Sequence, residues 1–237
     1  MTTVPEVPLE RALRRVDAIW GPDAAPHHLV YGQTGSGKTT LIKALLALSP
    51  HSRALILDPK PHADPVWDGP GSDPWQWGRP VTRVTPRFGF EGEPGGGRAR
   101  AWFRLLGSPD RADTARRFGE ALATVAAEGH CVLVLDDVRE ICRQLRLAEN
   151  VDSVMNLGRS ANVLVILAAT ETGYVSGRAQ AGMTWIGATS GLDAAKAGAA
   201  LLGKSGRHWY ELTAAVEPRT WIYNDTQPGT AGPALVR

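Results

Sequence analysis

Apolar residues in this chain fall into two alternating patterns, short runs with almost no polar break and longer stretches where they recur every third or fourth position. The runs cover residues 29–31, 54–57, 131–135, 163–169 and 183–188. A strand apolar at nearly every position is buried on both faces, as in a parallel sheet flanked by helices. Helical spacing fills the gaps. A helix opening at Lys38 is stopped by Ser49-Pro50, and one begun by Ser108-Pro109-Asp110 carries Ala115, Phe118, Leu122 and Val125 on one stripe before Gly129. Val151, Val154, Met155 and Leu157 mark another, and residues 192–202 form an alanine-rich helix closed by Gly203. Near the start, Leu9, Leu13, Val16 and Trp20 share a face with arginines opposite, suited to capping the domain or to meeting a neighbouring subunit. In-out alternation is found in 208–212 and 219–223, which predicts a terminal hairpin.

Strands and helices in alternation predict an α/β fold, a mostly parallel central sheet flanked by helices with a C-terminal β-hairpin. The expected divisions are an N-terminal helix or arm over 1–26, one domain over 27–224, and a loose tail over 225–237. A Trp-, Gly- and Pro-rich insertion interrupts the domain at about 61–107, with one plausible strand at 81–85. There Trp67, Trp75 and Trp77 either pin an irregular loop or stack bases, the former being commoner.

Composition adds little to the class: 43% of residues are hydrophobic and 21% charged, as in ordinary globular chains. Cys131 and Cys142 lack metal-ligand spacing and read as reduced, intracellular thiols. No apolar run reaches the length of a membrane span, so no membrane insertion is expected. A net charge of +2 means that nucleic acid, if bound, is met by a local basic patch or by a ring that gathers small ones.

Between the first strand and its helix lies GQTGSGKTT, residues 32–40, with Gly32, Gly37, Lys38 and Thr39 at phosphate-loop spacing. Glycines at 32, 35 and 37 let the backbone approach a phosphate closely. The N–H groups of Gln33, Thr34, Gly35, Ser36 and Thr40 then join the helix start in facing it. Lys38 bridges β- and γ-phosphates in such loops, and the Thr39 hydroxyl ligates Mg²⁺. The implied ligands are ATP and Mg²⁺.

Two strand ends carry acids. LILDPK places Asp58 and Lys60 at a strand C-terminus, the edge where open α/β sheets bind ligands. VLVLDD ends in Asp136, the candidate for the metal's outer shell, and Asp137, the candidate base or water-orienter. Arg98 and Arg100 close a glycine-rich stretch, with Arg104 soon after, a composition that suits either a grip on a phosphate backbone or a surface loop.

GQTGSGKTT, LILDPK, VLVLDD, GRSANVLVILAATE and LLGKSGRHWYEL, in that order, resemble the FtsK–HerA superfamily of DNA-pumping ATPases from about residue 29 to 223. The resemblance implies a RecA-like P-loop NTPase fold and ATP hydrolysis coupled to translocation of double-stranded DNA through a homo-oligomeric ring, a hexamer or pentamer. By position it makes Arg159 the arginine finger reaching a neighbour's γ-phosphate, and Glu171 the polar sensor. Two residues depart from the family pattern. Asp137 stands where a glutamate is common, which shortens the reach to water. Glu171 stands where glutamine is usual, and an acid beside a triphosphate repels it unless an arginine pairs with it.

The chain's size resembles the minimal packaging ATPases of viruses with internal membranes. That implies a protein of the host cytoplasm, docked at a portal or packaging vertex. Plasmid transfer and chromosome pumping are the alternatives within the class. Outside it stand a small-molecule or nucleotide kinase, whose arginine-rich lid the insertion does not spell, and a non-hydrolysing ATP-binding assembly protein.

Overall fold

Odd and even positions of each central strand part to opposite faces of one sheet, and both faces are apolar. Leu55, Leu57, Leu133, Leu135, Val165 and Leu167 point into one core, while Ala54, Ile56, Val132, Val134, Leu164 and Ile166 point into the other. A computed structural model describes residues 4–19, 26–49, 51, 53–62, 67, 101–158, 160–171, 181–225 and 232–237. Its strands are β1 (Glu6–Val7), β2 (His27–Tyr31), β3 (Arg53–Asp58), β4 (Ala101–Leu106), β5 (Cys131–Asp136), β6 (Val163–Ala169), β7 (Ala181–Ile186), β8 (Trp221–Asp225) and β9 (Ala234–Val236). They form a nine-stranded sheet in the order β1-β9-β8-β7-β2-β6-β5-β3-β4. From β7 to β4 every pairing is parallel, and β8 pairs antiparallel with β7 and β9. The expected mostly parallel α/β architecture is therefore present.

Helices cover both faces. On one lie α1 (Leu9–Ile19) and α2 (Lys38–Leu48), packed with Trp67, Trp185 and Trp221. On the other lie α3 (Arg111–Glu128), a π-helical turn (Glu140–Gln144) and α4 (Ala148–Leu157). Two further helices, α5 (Leu192–Leu201) and α6 (Arg207–Ala214), pack on each other, the buried Thr213 hydroxyl donating to Ala195 O at 2.8 Å. The α3 N-cap is Asp110 and its first helical residue Arg111, two beyond Pro109, the Asp110 carboxylate accepting from Ala112 N–H at 2.9 Å. In α1, Ala12 and Val16 are buried and Arg11, Arg14 and Arg15 exposed, which is the domain-capping reading. Cys131 and Cys142 are free and buried, and burial pushes both thiols up to about 12.

Four expectations are corrected. Residues 208–212 are helical in α6, not the first strand of a hairpin, because Trp209 and Leu212 pack together into the core at helical spacing. The terminal hairpin is instead β8–β9, so 234–236 form a strand and the tail is not loose over those residues. Residues 6–7 also enter the sheet, β1 pairing parallel with β9. Finally, 101–106 are the edge strand β4 and not the end of an insertion. The strand expected at 81–85, with Trp75 and Trp77, lies outside the described residues.

Candidate nucleotide site

Parallel pairing of β3, β5, β6 and β2 brings their C-terminal ends to one edge, and the phosphate loop leaves β2 there. The loop hangs on both neighbours: Gly32 N–H donates to Ala169 O at 3.1 Å and Gln33 N–H to Ala188 O at 2.7 Å. Gly35 and Gly37 sit at φ +81° and +96°, a region that disfavours side chains. A Cβ at Gly32 would lie 2.8 Å from Ser36 Oγ. Gly37 passes directly into α2 with no side chain capping it, leaving the first N–H groups of the helix for an anion. The Lys38 ammonium donates across the loop to Gly32 O (2.8 Å) and Gln33 O (2.9 Å). Burial holds it below its usual pKa, against the pull of Asp136 and Asp137, and Lys60 adds to the depression.

The Asp-Pro-Lys turn has a built interior. Asp58 is fully buried and Arg104, from β4, is 4% exposed. The guanidinium donates to Asp58 Oδ2 from Nη2 (2.8 Å) and Nε (3.1 Å). Asp58 Oδ1 accepts Lys60 N–H at 3.1 Å, and that turn carries the Lys60 ammonium to 3.7 Å from Asp136 Oδ2. Arg104 is thus a core ion-pair partner and not part of a phosphate-gripping loop. Trp67 is buried, donates from Nε1 to Asp136 Oδ2 at 3.2 Å, and lies under the Lys43 ammonium at 5.2 Å. These contacts fix Trp67 to the domain.

Asp137 follows Asp136 at φ +77°, a strained backbone for a residue with a Cβ. Its Oδ1 accepts Glu140 N–H at 3.2 Å, capping the helical turn that follows. Arg139, in that turn, donates to Glu171 Oε1 at 2.6 Å. The acid at the sensor position therefore has the arginine partner that its charge requires.

Lys38, Thr39, Asp136, Asp137 and Glu171 all fall on this edge or on the loop it carries. Arg159, Arg98 and Arg100 lie outside the described residues. Sequence reasoning missed three participants: Trp67 as an Asp136 partner, Arg139, and Arg219. Arg219, itself at φ +66°, donates its N–H to Ser36 O at 3.0 Å, and its side chain approaches Gly37. Nothing local in the sequence marks any of them.

A hydroxyl from Thr39, and a carboxylate from Asp136 acting through water in the outer shell, are hard oxygen donors, the protein share that Mg²⁺ accepts when phosphates and water complete its coordination. The residues present fit that ion. No cluster of three or more His, Cys, Asp or Glu is found among the described residues, so the fit depends on a bound phosphate.

Residues 23–176 match the family described as the AAA domain, a span of more than half the chain that includes the phosphate loop and both acidic strand ends. The chain belongs to the AAA domain family. Among curated proteins no relative of this AAA domain is found. Among solved structures it is similar to the genome packaging NTPase B204 from Sulfolobus turreted icosahedral virus 2 in complex with AMPPCP. The identity is 14% and the TM-score 0.61, over 92% of this chain and 98% of that one. It is also similar to the cytoplasmic domain of the Thermomonospora curvata type VII secretion ATPase EccC. There the identity is 17% and the TM-score 0.57, over 86% of this chain and 24% of that one. A third is the pCW3 conjugation coupling protein TcpA, at 13% and 0.55, over 89% and 59%. At these identities the likeness is one of fold, the P-loop NTPase fold that the resemblance implied. Among the described residues no helix is long and apolar enough to cross a membrane.

Proposed function

We propose that this AAA domain hydrolyses ATP to move double-stranded DNA, as a ring that packages a viral genome. The observation that carries the reading is mutual coverage. The chain and the packaging NTPase match over 92% and 98% of their lengths. The packaging NTPase binds the nucleotide analogue AMPPCP, and we carry its nucleotide binding and its packaging role over to this chain.

In the proposed reaction the loop N–H groups from Gln33 to Thr40 and the Lys38 ammonium hold the β- and γ-phosphates. Thr39 and Asp136 would hold Mg²⁺, which when bound neutralises charge between those phosphates. Asp137 orients the attacking water, Glu171 senses the γ-phosphate, and Arg159 stabilises its developing charge from the neighbouring subunit. Arg98 and Arg100 grip the DNA backbone, and the ring docks at a portal or packaging vertex.

The test uses two inactive variants. Lys38→Ala should weaken ATP binding and abolish hydrolysis, and Arg159→Ala should bind ATP but not hydrolyse it. Mixing them should restore part of the activity, because some intact loops then face intact arginines. A single-subunit enzyme shows no rescue. Stimulation of the wild-type rate by double-stranded DNA, and not by a small acceptor, separates the motor from a kinase. One observation favours a second reading, ATP-dependent assembly without turnover: the Asp137 carboxylate is engaged as a helix cap. Steady-state phosphate release at a burst-limited level would select it.

A further inference from the structure

Glu171 leaves β6 two residues after Ala169, whose carbonyl accepts the Gly32 N–H, so the acid emerges beside the start of the phosphate loop. Its charge reaches Tyr31, the residue before Gly32, whose phenol is held above its usual pKa first by burial and then by Glu171. Arg139 comes from the adjacent strand end, two residues past Asp137 in a segment that widens into a π-helical turn. Such turns recur at functional sites. The pair is half-exposed, at 40% for Arg139 and 46% for Glu171, so its contribution to folding is small. Arg139 Nε is buried and makes no hydrogen bond among the described residues, so the guanidinium has donating capacity beyond what Glu171 takes.

We propose that Arg139 is a positioning residue of the nucleotide site. Its guanidinium balances the Glu171 carboxylate at the loop mouth, which makes an acid there compatible with a triphosphate, and it is shared with the γ-phosphate when ATP binds. The inference rests on the ATP-site reading above. It differs from a surface ion pair in one respect: the carboxylate and the γ-phosphate compete for one cation, so the pair discriminates ATP from ADP.

The experiment is a double-mutant cycle on nucleotide affinity, measured by calorimetry at fixed Mg²⁺ and salt. Arg139→Ala should weaken ATP by about tenfold, an uncompensated carboxylate now facing the γ-phosphate, and ADP by much less. Adding Glu171→Gln to Arg139→Ala should restore ATP affinity to within about threefold of wild type, and Arg139→Lys alone should keep most of it. Melting temperatures of all variants should stay near wild type, so the ATP-against-ADP split, which a merely structural pair would not produce, reads on the nucleotide and not on folding. ATP affinity unchanged in Arg139→Ala, equal losses for ATP and ADP, or no recovery in the double variant would each overturn the proposal while leaving the ATP site intact. A wild-type protein that binds no nucleotide overturns the ATP-site reading and this inference with it.

Discussion

Removing Arg104 should cost this domain several kcal/mol, on the order of a buried ion pair broken on one side, although the residue lies in a stretch that reads as a basic loop. Its guanidinium and the Asp58 carboxylate are 4% and 0% exposed and share two hydrogen bonds of 2.8 and 3.1 Å. Arg104→Met leaves a buried carboxylate without its cation, a change that typically costs about 3–5 kcal/mol. At about 2–4 °C per kcal/mol for a domain of this size, the melting temperature should fall on the order of 10 °C. The compensating variant sharpens the test. Arg104→Met with Asp58→Leu removes both charges, and buried pairs replaced together by apolar residues are often neutral. The remaining loss, about 1 kcal/mol, is the Asp58 hydrogen bond to Lys60 N–H. Urea unfolding of the wild type, single and double variants gives the three midpoints and slopes. A single variant within about 1 kcal/mol of wild type would refute the burial argument. So would a double variant as unstable as the single.

Three further outcomes follow, one from a buried histidine of β2 and two from the acids at the end of β5. His28 is fully buried, accepts the Trp185 indole N–H at 3.1 Å, and is lowered from 6.5 to about 3 by burial and by neighbouring His27. The unfolded chain takes up this proton below pH 6.5 and the native one does not, so the contribution is whole above pH 6.5 and lost as pH falls toward 3. At pH 4.5 the loss is about 2–3 kcal/mol, and His28→Gln should flatten the pH dependence of urea stability between 6.5 and 4.5 by that amount; an unchanged slope counts against it. Asp136→Asn should impair Mg²⁺-dependent hydrolysis. Asp137→Asn should keep ATP binding and lose turnover in a phosphate-release assay, and normal turnover there would assign the water to another residue.

What could be read from the sequence was what neighbours in the chain dictate. Gly32, Gly35 and Gly37 are required by local backbone geometry, so the loop and its helix were legible at once. The doubly apolar strands announced a covered parallel sheet for a similar reason. The Arg104 ion pair and the Trp67 hydrogen bond to Asp136 were not legible, because each joins partners far apart along the chain, Arg104 to Asp58 and Trp67 to Asp136. Residues 208–212 alternate over a span too short to separate period two from period 3.6, and the packing of Trp209 with Leu212 decided for helix. Two- and three-residue strands such as β1 and β9 carry no periodicity, and they exist because β9 pairs with β8 and β1 with β9.

That meeting has a mechanical consequence. β1 and β9 run parallel, so the preceding chain enters at one end of the pair and Arg237 leaves at the other. Tension between the chain ends therefore shears the pair lengthwise and does not peel it open bond by bond. The load falls together on Leu235 N–H to Pro5 O (2.9 Å), Arg237 N–H to Val7 O (3.3 Å) and Leu9 N–H to Arg237 O (2.8 Å). The Arg237–Glu6 ion pair, at 2.9 Å, lies in the same line. The outermost strands of the sheet are thus clasped in the orientation that shares a load among all their bonds at once.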